Sequence, residues 1–223
     1  MYFCSMKNND IMAIQTAKFL LQVKAIKLNN EHPFTWASGR KSPIYCDNRV
    51  TLSYPEIRTY IRQQFVETIN RHFGSCDIIA GVATGGIAQG ALVAQDMCKP
   101  FAYVRSEHKS HGLTNQIEGE VHEGESVVVI EDLVSTGKSS LTAVKALREK
   151  GCRVKGMVAI FTYNLQVATD NFAAENVELH TLTNYDTLVE VARDENYINS
   201  NEIASLAAWR LNPEKWSDDR MNG

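Results

Sequence analysis

No Cys-x-x-Cys pair, no long apolar run and no surplus of positive charge occur in this chain of 223 residues. Its five cysteines (Cys4, Cys46, Cys76, Cys98 and Cys152) are odd in number and widely spaced. A disulfide framework or a zinc knuckle needs paired thiols at set spacings, so neither is expected. Reduced thiols point to the cytoplasm. No apolar stretch approaches the ~20 residues of a membrane span, and the N-terminus lacks the basic-then-apolar pattern of a signal peptide. A membrane partner is therefore not expected. Lys plus Arg total 23 against 26 Asp plus Glu, a formal charge of −3. That balance argues against a broad basic surface for nucleic acid, though it leaves a local basic patch open. There is no repeat and no low-complexity linker, and 44% of the residues are hydrophobic, enough for one well-buried domain.

What the chain does contain is an alternation of short apolar runs and helix-like stretches. Asp77–Val82, Phe101–Val104, Ser126–Ile130, Gly156–Phe161 and Val177–Leu182 read as buried strands. Ile87–Met97, Lys138–Lys150 and Leu165–Ala174 read as helices between them, with Gly151 at a C-cap position. Alternation of this kind predicts an α/β fold with a mostly parallel central sheet flanked by helices. Ahead of it, Asp10 can cap one helix, Tyr54-Pro55 can open another toward Asn70, and a turn-rich segment from Asn29 to Val50 lies between. The expected layout is one domain over 1–223: front elements over about 10–50, a core over about 55–195, and a C-terminal helix over about 199–212, stopped near Pro213. Ligands of such sheets bind beyond the C-terminal strand ends.

The segment from Val127 to Ser140 is the most informative. An apolar strand ends in Glu131-Asp132, and Leu133-Val134-Ser135-Thr136-Gly137 leads into a helix beginning Lys138-Ser139-Ser140. A helix N-terminus presents unpaired N–H groups and partial positive charge, which suit a phosphate. Gly137 allows close approach or positive φ. The two carboxylates would repel a phosphate but accept well from vicinal hydroxyls. Together they describe a ribose 5-phosphate. The plainer alternative is an acidic strand end with Ser135 or Thr136 as a helix cap. A nucleoside-triphosphate P-loop is excluded: Gly137-Lys138-Ser139 matches its end, but Asp132 stands where its first glycine belongs. A second loop, Gly81-Val82-Ala83-Thr84-Gly85-Gly86, also follows a strand and opens a helix. It fits either a second anionic group or tight helix–strand packing.

Residues 131–139 resemble the phosphoribosyl diphosphate (PRPP) signature of the type I phosphoribosyltransferases. The resemblance implies that Glu131 and Asp132 hold ribose hydroxyls, and that Leu133, Val134, Ser135, Thr136, Gly137, Lys138 and Ser139 surround the 5-phosphate. It makes the 81–90 loop the diphosphate contact. Some relatives carry Lys where Gly85 stands, so backbone groups must serve there. Arg105-Ser106-Glu107-His108-Lys109-Ser110-His111-Gly112 opens a long polar stretch, either a solvated hairpin or a lid. It resembles the catalytic loop of the orotate branch, which implies PRPP contacts from Arg105, Lys109 and His111, and a homodimer whose loops are shared across subunits. Phe34-Thr35-Trp36-Ala37-Ser38-Gly39-Arg40-Lys41-Ser42-Pro43 is similar to the N-terminal hood motif of that branch, with Trp36 read as core and Tyr45 beside the base. Ala37 and Ser106 stand where some relatives have Lys, and Tyr163 near where some have an Arg for the orotate carboxylate. Ser135 and backbone N–H groups near the hood are the candidate replacement donors.

The function implied is phosphoribosyl transfer from PRPP to orotate, giving orotidine 5′-phosphate and diphosphate in pyrimidine nucleotide synthesis. Lys109 and Asp132 are then the catalytic residues, and Mg²⁺ is the cofactor, carried on substrate oxygens and water rather than by a set of protein ligands. Two rivals stand beside it: transfer to a purine or another base, and a non-enzymatic sensor of PRPP.

Overall fold

The computed structural model describes residues 8–36, 38–105 and 116–221. Period-two alternation along the central strands organises it. Ile79, Val128, Ile130, Val158 and Ile160 face one apolar layer. Ile78, Ala80, Val82, Val127, Val129, Met157 and Ala159 face the other. Strands apolar on both faces must be covered on both faces, and helices do this here.

In chain order the elements are α1 (Asn8–Gln22), β1 (Ile26–Leu28), β2 (Phe34–Thr35), β3 (Lys41–Ser42), β4 (Ile44–Cys46), a 3-10 turn (Asn48–Ser53) and α2 (Pro55–His72). Then come β5 (Ile78–Val82), α3 (Gly85–Asp96), β6 (Phe101–Val104), β7 (Ile117–Glu118), β8 (Ser126–Val134), α4 (Lys138–Glu149) and β9 (Arg153–Thr162). The chain continues through α5 (Gln166–Ala174), β10 (Leu179–Asn184), α6 (Tyr185–Asp194), α7 (Ser200–Leu211) and α8 (Pro213–Met221). The six-stranded sheet has the order β10-β9-β8-β5-β6-β7. Only β7 runs antiparallel, so the mostly parallel sheet expected from the alternation is present. From β5 the chain steps outward to β6, then returns to place β8 on the other flank of β5. The crevice between the C-terminal ends of β5 and β8 is thus the topological switch point, where open α/β sheets bind ligands.

Three features depart most from the sequence reading. The central strand does not end at Ile130. It runs to Val134 because Glu131, Leu133 and Val134 continue to pair with Ala159, Phe161 and Thr162 of β9. The front segment is built of two small antiparallel pairs, β1 with β4 and β2 with β3. Pro213 does not end the chain's helical part: it opens α8, occupying a first-turn position where its missing N–H costs nothing.

Candidate active site

At the switch point two helices begin, α3 beyond the end of β5 and α4 beyond the end of β8. α4 begins after Gly137, which holds φ at +78°, in the left-handed region, and no side chain caps its first turn. Neither Ser135 nor Thr136 is the cap, which corrects that alternative. A Cβ at 137 would also lie 2.6 Å from the Phe172 ring, so the position needs glycine twice over. α3 begins after Thr84 and likewise has no side-chain cap. The first-turn N–H groups of both helices are left for an anion.

Strand alternation turns the two acids toward different helices, Glu131 to α4 and Asp132 to α3, with their carboxyls still close enough to interact. Glu131 is 5% exposed. Its Oε1 accepts from the Asp132 N–H at 3.1 Å and its Oε2 from the Ser140 hydroxyl at 3.2 Å. Burial, followed by the neighbouring Asp132, pushes its carboxyl well above the ordinary carboxylate range. Asp132 turns the other way, onto the opening of α3. Its carboxylate lies so close to Gly85 that a Cβ there would be 2.1 Å from Cγ. Gly86 is needed for a separate reason, since a Cβ would meet the Ile130 carbonyl oxygen at 2.4 Å. The Ala83–Thr84 peptide bond between β5 and α3 is cis.

The other residues of the motif divide by exposure. Leu133 is half-buried and lines a cavity, whereas Val134 is fully buried, with its carbonyl accepting from the Tyr163 N–H at 3.3 Å. Val134 thus offers no side chain to a ligand. Ser135 and Thr136 form the open turn, and the Thr136 carbonyl is held by Asn171 at 2.9 Å. Gly137 is buried, whereas Lys138 and Ser139 are exposed on the first turn of α4.

Facing the crevice is the hood. A cavity of about 430 Å³ is lined by Thr35, Trp36, Ser38, Tyr45, Cys46, Leu133, Ser135 and Tyr163. Tyr45 is 39% exposed and lies 5.7 Å from Phe34, so its ring is available on one side. Trp36 packs on the core side, 5.5 Å from Tyr163 and 5.8 Å from Trp209, with its indole N–H donating to the Ile44 carbonyl. Tyr163 is 2% exposed and sits in that aromatic cluster. Burial pushes its hydroxyl well above the ordinary tyrosine range. Ser135 is therefore brought to the same cavity as Tyr45.

Arg105 directly follows β6, its backbone N–H donating to the Gln116 carbonyl and its guanidinium 3.5 Å from Glu118. Residues 105 and 116 thus stand as neighbours beside the paired strands β6 and β7. Lys109 and His111 lie outside the described residues, as do Ala37 and Ser106.

The sequence reading missed Asn48. It is 2% exposed, and its amide donates to the Asp132 carbonyl at 2.6 Å while its oxygen accepts from the Cys46 thiol at 3.3 Å. It ties the hood to the acidic strand end. Burial is the main cause that pushes the Cys46 thiol up, with Asp132 and Asp47 adding to it. Also missed was α8. Its buried Ser217 accepts from the Lys41 N–H at 2.9 Å, and its Glu214 pairs with Arg40 at 2.5 Å. No local signal marks either tie, since each joins segments far apart in the chain.

Comparison with known proteins gives a consistent picture. The family model described as the phosphoribosyl transferase domain matches residues 54–192. An orotate phosphoribosyltransferase of Cytophaga hutchinsonii is 50% identical over 202 residues, 91% of this chain and 97% of that protein. One of Phocaeicola vulgatus is 54% identical over 200 residues, 90% of this chain and 94% of that protein. The crystal structure of orotate phosphoribosyltransferase from Aeropyrum pernix superposes with a TM-score of 0.71 at 29% identity, covering 82% of this chain and 99% of that one.

Proposed function

The chain belongs to the phosphoribosyl transferase domain family, and within it to the orotate phosphoribosyltransferases; from that premise we propose that it transfers the 5-phosphoribosyl group of PRPP to orotate. The products are orotidine 5′-phosphate and diphosphate, a step of pyrimidine nucleotide synthesis. The observation that carries this reading is the switch-point crevice. Two uncapped helix N-termini open there, that of α3 against the Asp132 carboxylate, and an aromatic-walled cavity lies beside them.

In the reaction the bond from C1′ to the diphosphate oxygen breaks with its electron pair leaving on diphosphate, and a bond from C1′ to the base nitrogen forms as that nitrogen gives up its proton to the departing diphosphate or to water. The sugar passes through an oxocarbenium-like state, so no protein nucleophile is needed. The first turn of α4, with Ser135, Thr136, Gly137, Lys138 and Ser139, holds the 5-phosphate. The opening of α3 receives the diphosphate through backbone N–H groups, since Gly85 has no side chain to offer. Asp132 accepts from the ribose hydroxyls and favours positive charge on the ring. Glu131, buried and bonded to Ser140, fixes the strand end from the opposite face. Tyr45 stacks beside the base, and Ser135 donates to it.

Asp132 is a hard-oxygen donor, and Mg²⁺ takes one or two carboxylates plus substrate oxygens and water, so these residues fit the metal. When bound, Mg²⁺ supplies charge neutralisation for the diphosphate. Arg105, Lys109 and His111 supply cations to the same leaving group, with Lys109 catalytic. The resemblance of residues 105–112 to a shared catalytic loop supports a homodimer. The cysteine pattern supports a cytoplasmic location, and no described helix is long and apolar enough to cross a membrane.

The test is a base-competition assay with purified protein, PRPP and Mg²⁺. Orotate should be consumed with stoichiometric diphosphate release, while hypoxanthine, xanthine and adenine are left. Consumption of a purine instead, or PRPP binding with no diphosphate release, would overturn the reading.

A further inference from the structure

At the opposite end of the sheet from the crevice, two imidazoles and a carboxylate converge. His72 closes the last turn of α2, Glu178 directly precedes β10, and His180 lies within it. Each offers one ligand atom, and all three atoms lie within 4.8 Å of one another. His180 Nε2 is 2.7 Å from Glu178 Oε1, and the His72 and His180 rings stack with centroids 3.6 Å apart. We propose that His72, Glu178 and His180 form a binding site for a borderline divalent metal ion of the Zn²⁺ class, separate from the substrate site.

The backbone builds this juxtaposition. Glu178 and His180 are two residues apart on extended chain, so they project to one face. The Glu178 carbonyl accepts from the Met157 N–H at 2.9 Å, and a Cβ at the adjoining Gly156 would approach that carbonyl to 2.8 Å. His180 pairs with Val158 in the parallel register, and its ring also meets Phe73 edge-on at 5.4 Å. Phe73 in turn caps α2 through its N–H to Ile69. Two of the three donors therefore stand on a fixed strand and the third on a fixed helix end. The Glu178–His180 hydrogen bond does not account for the second imidazole stacked on the first.

The donor chemistry selects the ion. Mg²⁺ and Ca²⁺ prefer all-oxygen shells, whereas two imidazoles and one carboxylate are a set that Zn²⁺ takes with an open fourth position. That position is accessible. His72 and Glu178 are exposed, and His72 and His180 line a polar cavity of about 310 Å³ with Asp10, Thr68, Asn184 and Glu190. A bound ion would tie the end of α2 to the edge strand β10.

The experiment is a Zn²⁺ titration of the metal-stripped full chain against a chromophoric chelator, with melting temperature followed in parallel. Wild type should take up one equivalent with a Kd on the order of micromolar or tighter and melt higher with Zn²⁺. His72→Ala and Glu178→Gln should each weaken binding roughly tenfold or more. Both should leave orotate turnover unchanged, because neither residue is in the crevice. His122→Ala, at an imidazole elsewhere, should bind as wild type. His180→Ala is a less clean probe because its ring packs on Phe73, which is why the exposed His72 and Glu178 are the primary variants. Absence of Zn²⁺ binding by the folded wild type, or binding unchanged in both primary variants, would overturn the proposal.

Discussion

The Asp132 carboxylate lies against Gly85 across the β5–β8 crevice, so closely that a Cβ at 85 would fall 2.1 Å from Cγ. The glycine is thus the space in which the acid stands. Gly85→Ala should push the carboxylate aside, because a carboxylate at the end of a short side chain can swing where a backbone atom cannot. Steady-state kinetics should show kcat/KM lower by about 10- to 100-fold, a transition-state loss of about 1.4–2.7 kcal/mol. The melting temperature should hardly move. Gly86→Ala is the contrast. Its Cβ meets the Ile130 carbonyl, which is backbone, so a loss of about 2 kcal/mol in chemical denaturation is expected.

Glu131 carries a pH signature. Its folded carboxyl is raised above the ordinary value of 4.5, chiefly by burial. Below that value the carboxyl is neutral in both states and its contribution is intact. As pH rises toward the raised folded value, the unfolded chain releases the proton first and stability falls. Glu131→Gln keeps the acceptor for Ser140 and cannot ionise. Its melting temperature relative to wild type should therefore rise as pH increases from about 4.5. A difference independent of pH would show that folding leaves the Glu131 carboxyl unshifted, and so contradict this assignment.

Tyr45 is 39% exposed on the cavity wall, so its removal should cost little stability. If the ring stacks on the base, Tyr45→Ala should raise the KM for orotate about tenfold, within the range of aromatic–base stacking, while the KM for PRPP holds. Equal rises in both constants would place Tyr45 outside the base site.

The Lys41 N–H finds its acceptor on Ser217 of α8, 176 residues on. Ser217→Ala leaves that part-buried donor unpaired at a cost of about 1–2 kcal/mol. The loss should fall on the hood, seen as a higher KM for orotate and faster hydrogen exchange at Lys41. A variant with wild-type orotate KM would make α8 a tail without bearing on the site.

Much of this molecule can be read from the chain because its strands are apolar on both faces and its helices begin where small polar loops end. The segment 127–140 was readable for that reason. Its boundary was not: Glu131 and Asp132 look like a loop in composition, yet they stay in the strand because β9 continues beside them to Thr162. The same alternation hid the division of labour between the acids. Adjacent in sequence, they face opposite sides of the sheet, one toward Ser140 and one toward Gly85. α6 was not legible because it starts at Tyr185 directly after the last residue of β10, Asn184, which is also its cap, with no glycine or proline between. Asn48 and Ser217 could not be found at all from sequence, because hydrogen bonds across 84 and 176 residues leave no local pattern.

The most direct test of the account is single-turnover kinetics of Asp132→Asn with orotate, PRPP and Mg²⁺, alongside PRPP binding at equilibrium. The account predicts that orotidine 5′-phosphate formation slows by about 100-fold, a barrier rise of about 2.7 kcal/mol, while PRPP affinity stays within about tenfold of wild type. Formation at the wild-type rate would contradict it, because the carboxylate at the centre of the crevice would then have no part in the transfer.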